Sequence, residues 1–167
     1  KTVVGQGCTA PVNVTVENHG SVAATVSVTL YVNLTIVKTK SLFLAIGARS
    51  TLTFSWNTTG FTKANYHVSA YAAPIAGETD TSDNTLVDGW IRVAMTGDIS
   101  GPVAGVPDGK VDIRDLAAMA KAYGSYPGHP SWNANADITG QATGVPDNKV
   151  DIRDLALAAK NYGKIDP

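Results

Sequence analysis

The sequence predicts two domains, an all-β sandwich of about seven strands in residues 1–95 and a small α-helical domain in residues 96–167. Three observations predict this division. Apolar and polar residues alternate along the first part, the composition shifts towards aspartate near residue 96, and a segment of about twenty residues recurs after 39 positions. A chain of 167 residues has room for two domains of this size.

Runs in the first part place an apolar residue at every second position, beginning with Val12, Val14 and Val16. Later runs repeat this spacing: Val26, Val28, Leu30 and Val32; Leu52, Phe54 and Trp56; Tyr66, Val68 and Ala70. Such alternation between polar turns predicts short antiparallel strands that each bury one face, so two sheets must stack to close a core. We expect Trp56 and Trp90 in that core rather than in a sugar-binding platform.

Composition and charge exclude several classes of function. The formal net charge of −1 gives no reason to expect nucleic acid or an anionic membrane as a partner. The single cysteine, Cys8, excludes an internal disulfide, and no apolar run approaches the ~20 residues of a membrane helix. Because the chain begins at Lys1 without a signal segment, we expect it to be part of a longer protein.

The strand sequences VTVENHGSVAATVSVTLYVN, STLTFSW and YHVSAY, together with ETDTSDN, resemble the CARDB family over residues 1–95. The resemblance implies an immunoglobulin-like module of a prokaryotic secreted or surface protein, adhesion-related and without an established active site. The acidic residues Glu78, Asp80 and Asp83 could bind a cation, but a solvated turn is the favoured interpretation.

The second part contains two nearly identical segments, GVPDGKVDIRDLAAMAKAYG from Gly105 and GVPDNKVDIRDLALAAKNYG from Gly144. Nine of the 14 acidic residues lie here, and all nine are aspartates. Eight of them pair at an offset of 39: Asp98, Asp108, Asp112 and Asp115 with Asp137, Asp147, Asp151 and Asp154. A register without slips indicates a duplicated unit.

The spacing of the carboxylates around a glycine predicts an EF-hand-type calcium loop in each unit, and therefore two Ca²⁺ ions. The predicted ligands are Asp98, Ser100, Asp108, the Lys110 carbonyl, Asp112 and Asp115 in the first loop, and Asp137, Thr139, Asp147, the Lys149 carbonyl, Asp151 and Asp154 in the second. Each loop spans 18 residues where twelve are standard, so Ser100 and Thr139, or backbone carbonyls of the six extra residues, could complete the sites. Asn148 replaces Gly109 at the left-handed turn of the second loop.

A helix is predicted after each loop, and Gly124 and Gly163 are predicted to end the two helices. The apolar residues at helical spacing are Ile113, Leu116, Met119, Ala120 and Tyr123 in the first and Ile152, Leu155, Ala159 and Tyr162 in the second. Asp112 and Asp115 could be merely a helix cap and its first-turn partner, which explains two of the four carboxylates of a loop. We expect Val111 and Val150 where the loops meet, and Trp132 over the small core.

The loop and helix, twice over, resemble a type I dockerin from Gly97 to Gly163. This resemblance implies docking onto a cohesin-type domain of another protein. Many dockerins carry Ser-Thr at loop positions 10 and 11, where this chain carries Ile113-Arg114 and Ile152-Arg153. The exposed basic pairs Arg114 with Lys121 and Arg153 with Lys160 are candidate partner-binding residues; solvated helix ends are an equal alternative.

The leading hypothesis is therefore a non-catalytic segment of a secreted or cell-surface protein, with an adhesion or spacer module joined to a calcium-dependent docking module. The alternative is a purely structural calcium-stabilised domain beside a sandwich that adheres to cells or binds carbohydrate. An enzyme is the weakest hypothesis, because the three histidines are isolated and no HExxH or GxSxG motif occurs.

Overall fold

A computed structural model describes residues 1–166 of the chain. In this range it contains seven β-strands and two α-helices: β1 (Val3–Gly5), β2 (Thr9–Glu17), β3 (Ala24–Val32), β4 (Thr35–Leu44), β5 (Arg49–Asn57), β6 (Asn65–Ala72), β7 (Thr85–Ala94), α1 (Ile113–Ala122) and α2 (Ile152–Ala159). The strands form a five-stranded sheet in the order β1-β7-β6-β3-β4 and a two-stranded sheet of β2 and β5. The predicted sandwich-like fold of seven strands is confirmed.

Two compact units make up the chain. The first comprises Lys1–Ala10, Asn57–Asn65 and the chain from Ile91 onward, and the second comprises Pro11–Trp56 and Tyr66–Trp90. The domain boundary between residues 95 and 96 stays a prediction.

The core of the second unit follows the predicted alternation. Val28, Leu30, Phe54, Trp56 and Val68 are all buried. Large buried aliphatic and aromatic side chains on alternate positions supply the apolar area that holds the strands together. The acidic turn from Glu78 to Asp83 is exposed, as expected of a solvated turn.

The prediction that Trp90 lies in the core is wrong. Its side chain is 62% exposed, and its ring packs edge-on against His67 with centroids 5.0 Å apart. In β7 the buried residues are Ile91, Val93 and Ala94, so the alternation of this strand leaves Trp90 on the open face.

The first unit begins with a strand that the sequence patterns do not reveal. β1 pairs in parallel with β7, with Val3 opposite Arg92 and Gly5 opposite Ala94. The expectation of purely antiparallel pairing is therefore wrong at this edge. Three residues are too few to show a period of two, which explains why β1 escapes detection.

Both helices are rotated relative to the predicted apolar stripe. Ile113 is 65% exposed and Ile152 is 64% exposed, whereas Asp115 and Asp154 point inward and are fully buried. The inward carboxylates accept backbone hydrogen bonds from their loops, and these bonds fix the rotation of each helix. The core of the duplicated part contains Ile99, Met119, Ala122, Ala136, Ile138, Val150 and Ala158, and Trp132 packs against it as predicted.

Candidate metal centres

Asp115 and Asp154 tie each helix to the start of its own loop. Oδ1 of Asp115 accepts hydrogen bonds from the amides of Ile99, at 2.7 Å, and Ser100, at 2.8 Å. Its Oδ2 accepts from the amide of Asp112 at 2.8 Å. The carboxylate of Asp154 makes the same three bonds in the second loop.

Asp98 and Asp137 are the first residues of the two loops, and each binds the backbone at the left-handed turn of its own loop. The carboxylate of Asp98 accepts from the amides of Asp108, at 3.2 Å, and Gly109, at 2.9 Å. Asp137 accepts at the same distances from the amides of Asp147 and Asn148. Asn148 has a φ of 64°, which confirms the predicted left-handed turn in place of glycine.

Burial disfavours the ionised form of the aspartates that begin the two loops. The pKa of Asp98 is raised to about 6, chiefly by burial and also by the carboxylates of Asp115 and Asp108, while hydrogen bonds from the amides of Gly109 and Asp108 act in the opposite direction. Burial likewise raises the pKa of Asp137 to about 6, although Lys1 acts in the opposite direction. A bound cation would remove the penalty of keeping these groups ionised.

Asp112 and Asp151 cap the two helices. Each is the N-cap of a capping box, in which its carboxylate accepts from a backbone amide of the first helical turn while Asp115 or Asp154 accepts from its own backbone amide. Asp112 and Asp115 thus form a helix cap and its first-turn partner, and their role as metal ligands stays a prediction. Since each carboxylate oxygen has two lone pairs, capping leaves acceptor capacity for a metal.

The predicted partner-binding arginines turn towards their own loops. Arg114 lies 3.0 Å from the Asp112 carboxylate and 3.8 Å from that of Asp108. Arg153 lies 2.9 Å from Asp147 and also pairs with Asp151, whose pKa its hydrogen bonds hold below the usual range. The predicted partner residues Lys121 and Lys160 are exposed.

Ser100 and Thr139 are buried and hold the extra residues of the loops. The Ser100 hydroxyl accepts from the Gly105 amide at 3.1 Å, and the Thr139 hydroxyl accepts from the Gly144 amide at 3.0 Å. The six extra residues therefore fold back onto the hydroxyl at loop position 3.

A glycine in each loop passes very close to an aspartate. A Cβ on Gly101 would lie 2.6 Å from Cβ of Asp108, and one on Gly140 would lie 2.6 Å from Cβ of Asp147. Sequence reasoning missed this requirement, although the recurrence of glycine at an offset of 39 was a usable signal.

The donor set of each loop fits a hard cation, because it consists of carboxylate, hydroxyl and carbonyl oxygens. Oδ1 of Asp147 is buried and has no hydrogen-bond partner within the described part of the chain. Yet in residues 1–166 no three His, Cys, Asp or Glu side chains are grouped as a ready-made metal cluster. The loop amides occupy the carboxylates at each end, so a cation would have to draw on the carbonyls of Lys110 and Lys149 and on the hydroxyls as well.

Comparison with known protein families identifies the family of the β-sandwich part of the chain. The model of the CARDB family matches residues 1–88, which is more than half of the chain. This chain belongs to the CARDB family. CARDB domains are non-catalytic immunoglobulin-like modules, and the membership indicates an adhesion or spacer module. No curated protein sequence matches the chain.

Several solved structures are similar in part. The CARDB domain of the PF1109 protein from Pyrococcus furiosus, in complex with di-metal ions, is 25% identical, with a TM-score of 0.49 over 56% of this chain and 80% of that one. A β-glucosidase from Listeria innocua is 16% identical, with a TM-score of 0.44 over 56% of this chain and 15% of that one. A type II cohesin–X–dockerin complex from Acetivibrio cellulolyticus is 15% identical, with a TM-score of 0.34 over 84% of this chain and 83% of that one. Within residues 1–166, neither helix is long and apolar enough to cross a membrane.

Proposed function

We propose that the two loops are calcium sites and that the helices behind them form a calcium-dependent docking surface for a cohesin-type domain. The CARDB module then serves as the adhesive or spacer segment of a secreted or cell-surface protein. The observation that carries the proposal is the convergence of buried aspartates on each loop, repeated with the same hydrogen bonds after 39 residues.

Calcium would supply positive charge beside the buried carboxylates of Asp98 and Asp137, whose ionised forms burial disfavours. Asp98, Asp108, Asp112 and Asp115 would hold one ion with the Ser100 hydroxyl and the Lys110 carbonyl. Asp137, Asp147, Asp151 and Asp154, with Thr139 and Lys149, would hold the other. Because Oδ1 of Asp147 is buried without a hydrogen-bond partner in the described part of the chain, the free energy of binding would contribute to folding.

An exposed apolar stripe on each helix supports the docking role. The stripe of the first helix consists of Ile113, Ala117 and Ala120, followed by the exposed Tyr123 just after α1, and that of the second consists of Ile152, Ala156 and Ala159, followed by the exposed Tyr162 beyond the end of α2. Spacings of three and four residues place the helical members of each set on one side of the helix. Since Arg114 and Arg153 are engaged with their loops, we assign recognition to these stripes, flanked by Lys121 and Lys160.

Binding to immobilised cohesin-type domains, with calcium and with EDTA, tests the proposal. Two equivalent stripes could each engage the partner, so Ile113→Ser or Ile152→Ser alone should weaken binding little and the double variant should weaken it strongly. Leu34→Ser is the matched control, because Leu34 is 97% exposed on the hairpin between β3 and β4. If no cohesin-type domain binds in calcium, or if the double variant binds as the parent does, the docking role is wrong.

The exposed Trp90, whose ring packs against the half-buried His67, favours the second candidate function, carbohydrate binding by the sandwich. Exposed aromatic rings can stack on the apolar faces of sugar rings. In that case calcium would only stabilise the duplicated part. Retention of the chain on insoluble polysaccharides, lost in Trp90→Ala and kept in Ile113→Ser, would favour this role over docking.

A further inference from the structure

The first residues of the chain bind the start of the second loop. Oδ1 of Asn135 accepts hydrogen bonds from the amides of Thr2, at 2.9 Å, and Val3, at 3.1 Å, and its Nδ2 donates to the Thr2 hydroxyl at 3.0 Å. Lys1 Nζ donates to the backbone carbonyl of Asp137, the first residue of the loop. Four hydrogen bonds therefore join residues 1–3 to Asn135 and Asp137.

The same residues form the edge strand β1. The Arg92 amide donates to the Thr2 carbonyl at 2.8 Å, and the Gln6 amide donates to the Ala94 carbonyl at 2.8 Å. Just after β1, the Thr9 amide donates to the carbonyl of Gly144, within the extra residues of the second loop. The segment is thus held between β7 and the second loop. A three-residue edge strand is marginal by itself and depends on such additional bonds.

The first loop is attached differently. Thr96 corresponds to Asn135, and its hydroxyl donates to the Gln6 carbonyl at 3.2 Å and lies 3.5 Å from the Cys8 thiol, without a hydrogen bond to residues 1–3 among those described. Asp98 is the counterpart of Asp137. Among the described residues, its backbone amide donates to the Met95 carbonyl, and its carboxylate accepts only from amides of the first loop. The link between a loop and β1 is therefore strong on the second loop and slight on the first.

We propose that Asn135 and Lys1 are positioning residues of the second loop, and that they make β1 more stable when this loop binds a cation. The inference rests on the proposed calcium sites. A cation held by Asp137 would order the backbone from Asn135 to Asp137, and residues 1–3 bond to that backbone. When the loop backbone is already ordered, docking of residues 1–3 onto it costs less conformational entropy than when the docking itself must order that backbone.

Hydrogen exchange of the Arg92 and Gln6 amides, measured on the full chain during a calcium titration, tests this proposal. We expect calcium to slow both exchange rates about tenfold. Asp147→Asn should shift the midpoint of this protection to about tenfold higher calcium, and the matched Asp108→Asn, which alters the first loop, should shift it less. Asn135→Ala should abolish the calcium dependence, and Asn135→Asp, which keeps the acceptor, should restore it.

Calorimetric titration of the same samples separates the possible failures. If two calcium ions bind but β1 is equally protected with calcium and with EDTA, the inference is wrong and the calcium sites stand. The inference is also wrong if protection responds more to Asp108→Asn than to Asp147→Asn, or if Asn135→Ala changes exchange equally in both conditions. If no calcium binds, the proposed function fails, and the inference fails with it.

Discussion

The backbone amide of Gly124, just after α1, donates a hydrogen bond to the carbonyl of Val150 in the second loop, across 2.8 Å. The relationship is reciprocal, because the amide of Gly163 after α2 donates to the carbonyl of Val111 in the first loop at 2.8 Å. The sequence predicts that the two loops meet at Val111 and Val150, but these backbone bonds go instead to the helix end of the other repeat. Each repeat thus donates a backbone hydrogen bond to the loop of the other repeat. This mutual stabilisation gives a physical reason for the duplication.

Met119→Ala should therefore weaken both calcium sites. Met119 is fully buried in one core with Val150 and Ala158 of the second repeat. The cavity should lower the free energy of unfolding by about 2–5 kcal/mol. Urea unfolding followed by helical circular dichroism measures the loss, with Leu34→Ala as the exposed control. An affinity change confined to the first loop would mean that the repeats are independent.

Gly101→Ala and Gly140→Ala should each damage one loop. The added methyl group would meet Cβ of Asp108 or Asp147 at 2.6 Å, so either the loop or the carboxylate must move. We expect the calcium affinity of that loop to fall at least about tenfold, the effect of roughly 1.4 kcal/mol. Gly89→Ala is the control, because a Cβ there meets no atom within 4 Å. Unchanged calorimetric affinities would show that the loops tolerate the displacement.

Asn148→Gly should stabilise the second loop. Asn148 holds a φ of 64°, where a residue with a Cβ is strained and glycine is not. We expect a gain of up to about 1 kcal/mol in the free energy of unfolding, and a comparable loss from the converse Gly109→Asn. Thermal unfolding in EDTA measures both. A loss from Asn148→Gly would imply that the asparagine side chain has a separate structural role.

The second unit should be insensitive to calcium. Its core contains Phe54 and Trp56, both buried, and the predicted ligands all lie in the first unit. Phe54→Ala should destabilise it by about 3–5 kcal/mol and leave calcium stoichiometry unchanged. Thermal unfolding followed by tryptophan fluorescence, with and without EDTA, measures this. A marked shift of the Phe54-sensitive transition in EDTA would mean that the second unit also binds a cation.

Patterns confined to one element predicted the fold well. Alternation identified the buried residues of β3 and β5, and the left-handed turn at Asn148 followed from the glycine in the first repeat. The capping role of Asp112 was also visible in the sequence. These features depend on a few neighbouring residues, so their physics is contained in the local sequence.

Features that depend on distant contacts were missed. Ile113 looked like a core residue because it fits the helical spacing, but hydrogen bonds from Ile99 and Ser100 to Asp115 turn the helix away. The pairing of β1 with β7 and the bonds of Asn135 to Thr2 join parts of the chain that are far apart in the sequence. No periodic pattern of residues in the sequence predicts such pairings.

Calorimetric titration of the full chain with calcium tests the central claim most directly. We predict two calcium ions per chain, one for each loop, and one ion in each of the variants Asp115→Ala and Asp154→Ala, because each removes the carboxylate that ties one loop to its helix. A parent chain that takes up no calcium, or variants that still take up two ions, would contradict it.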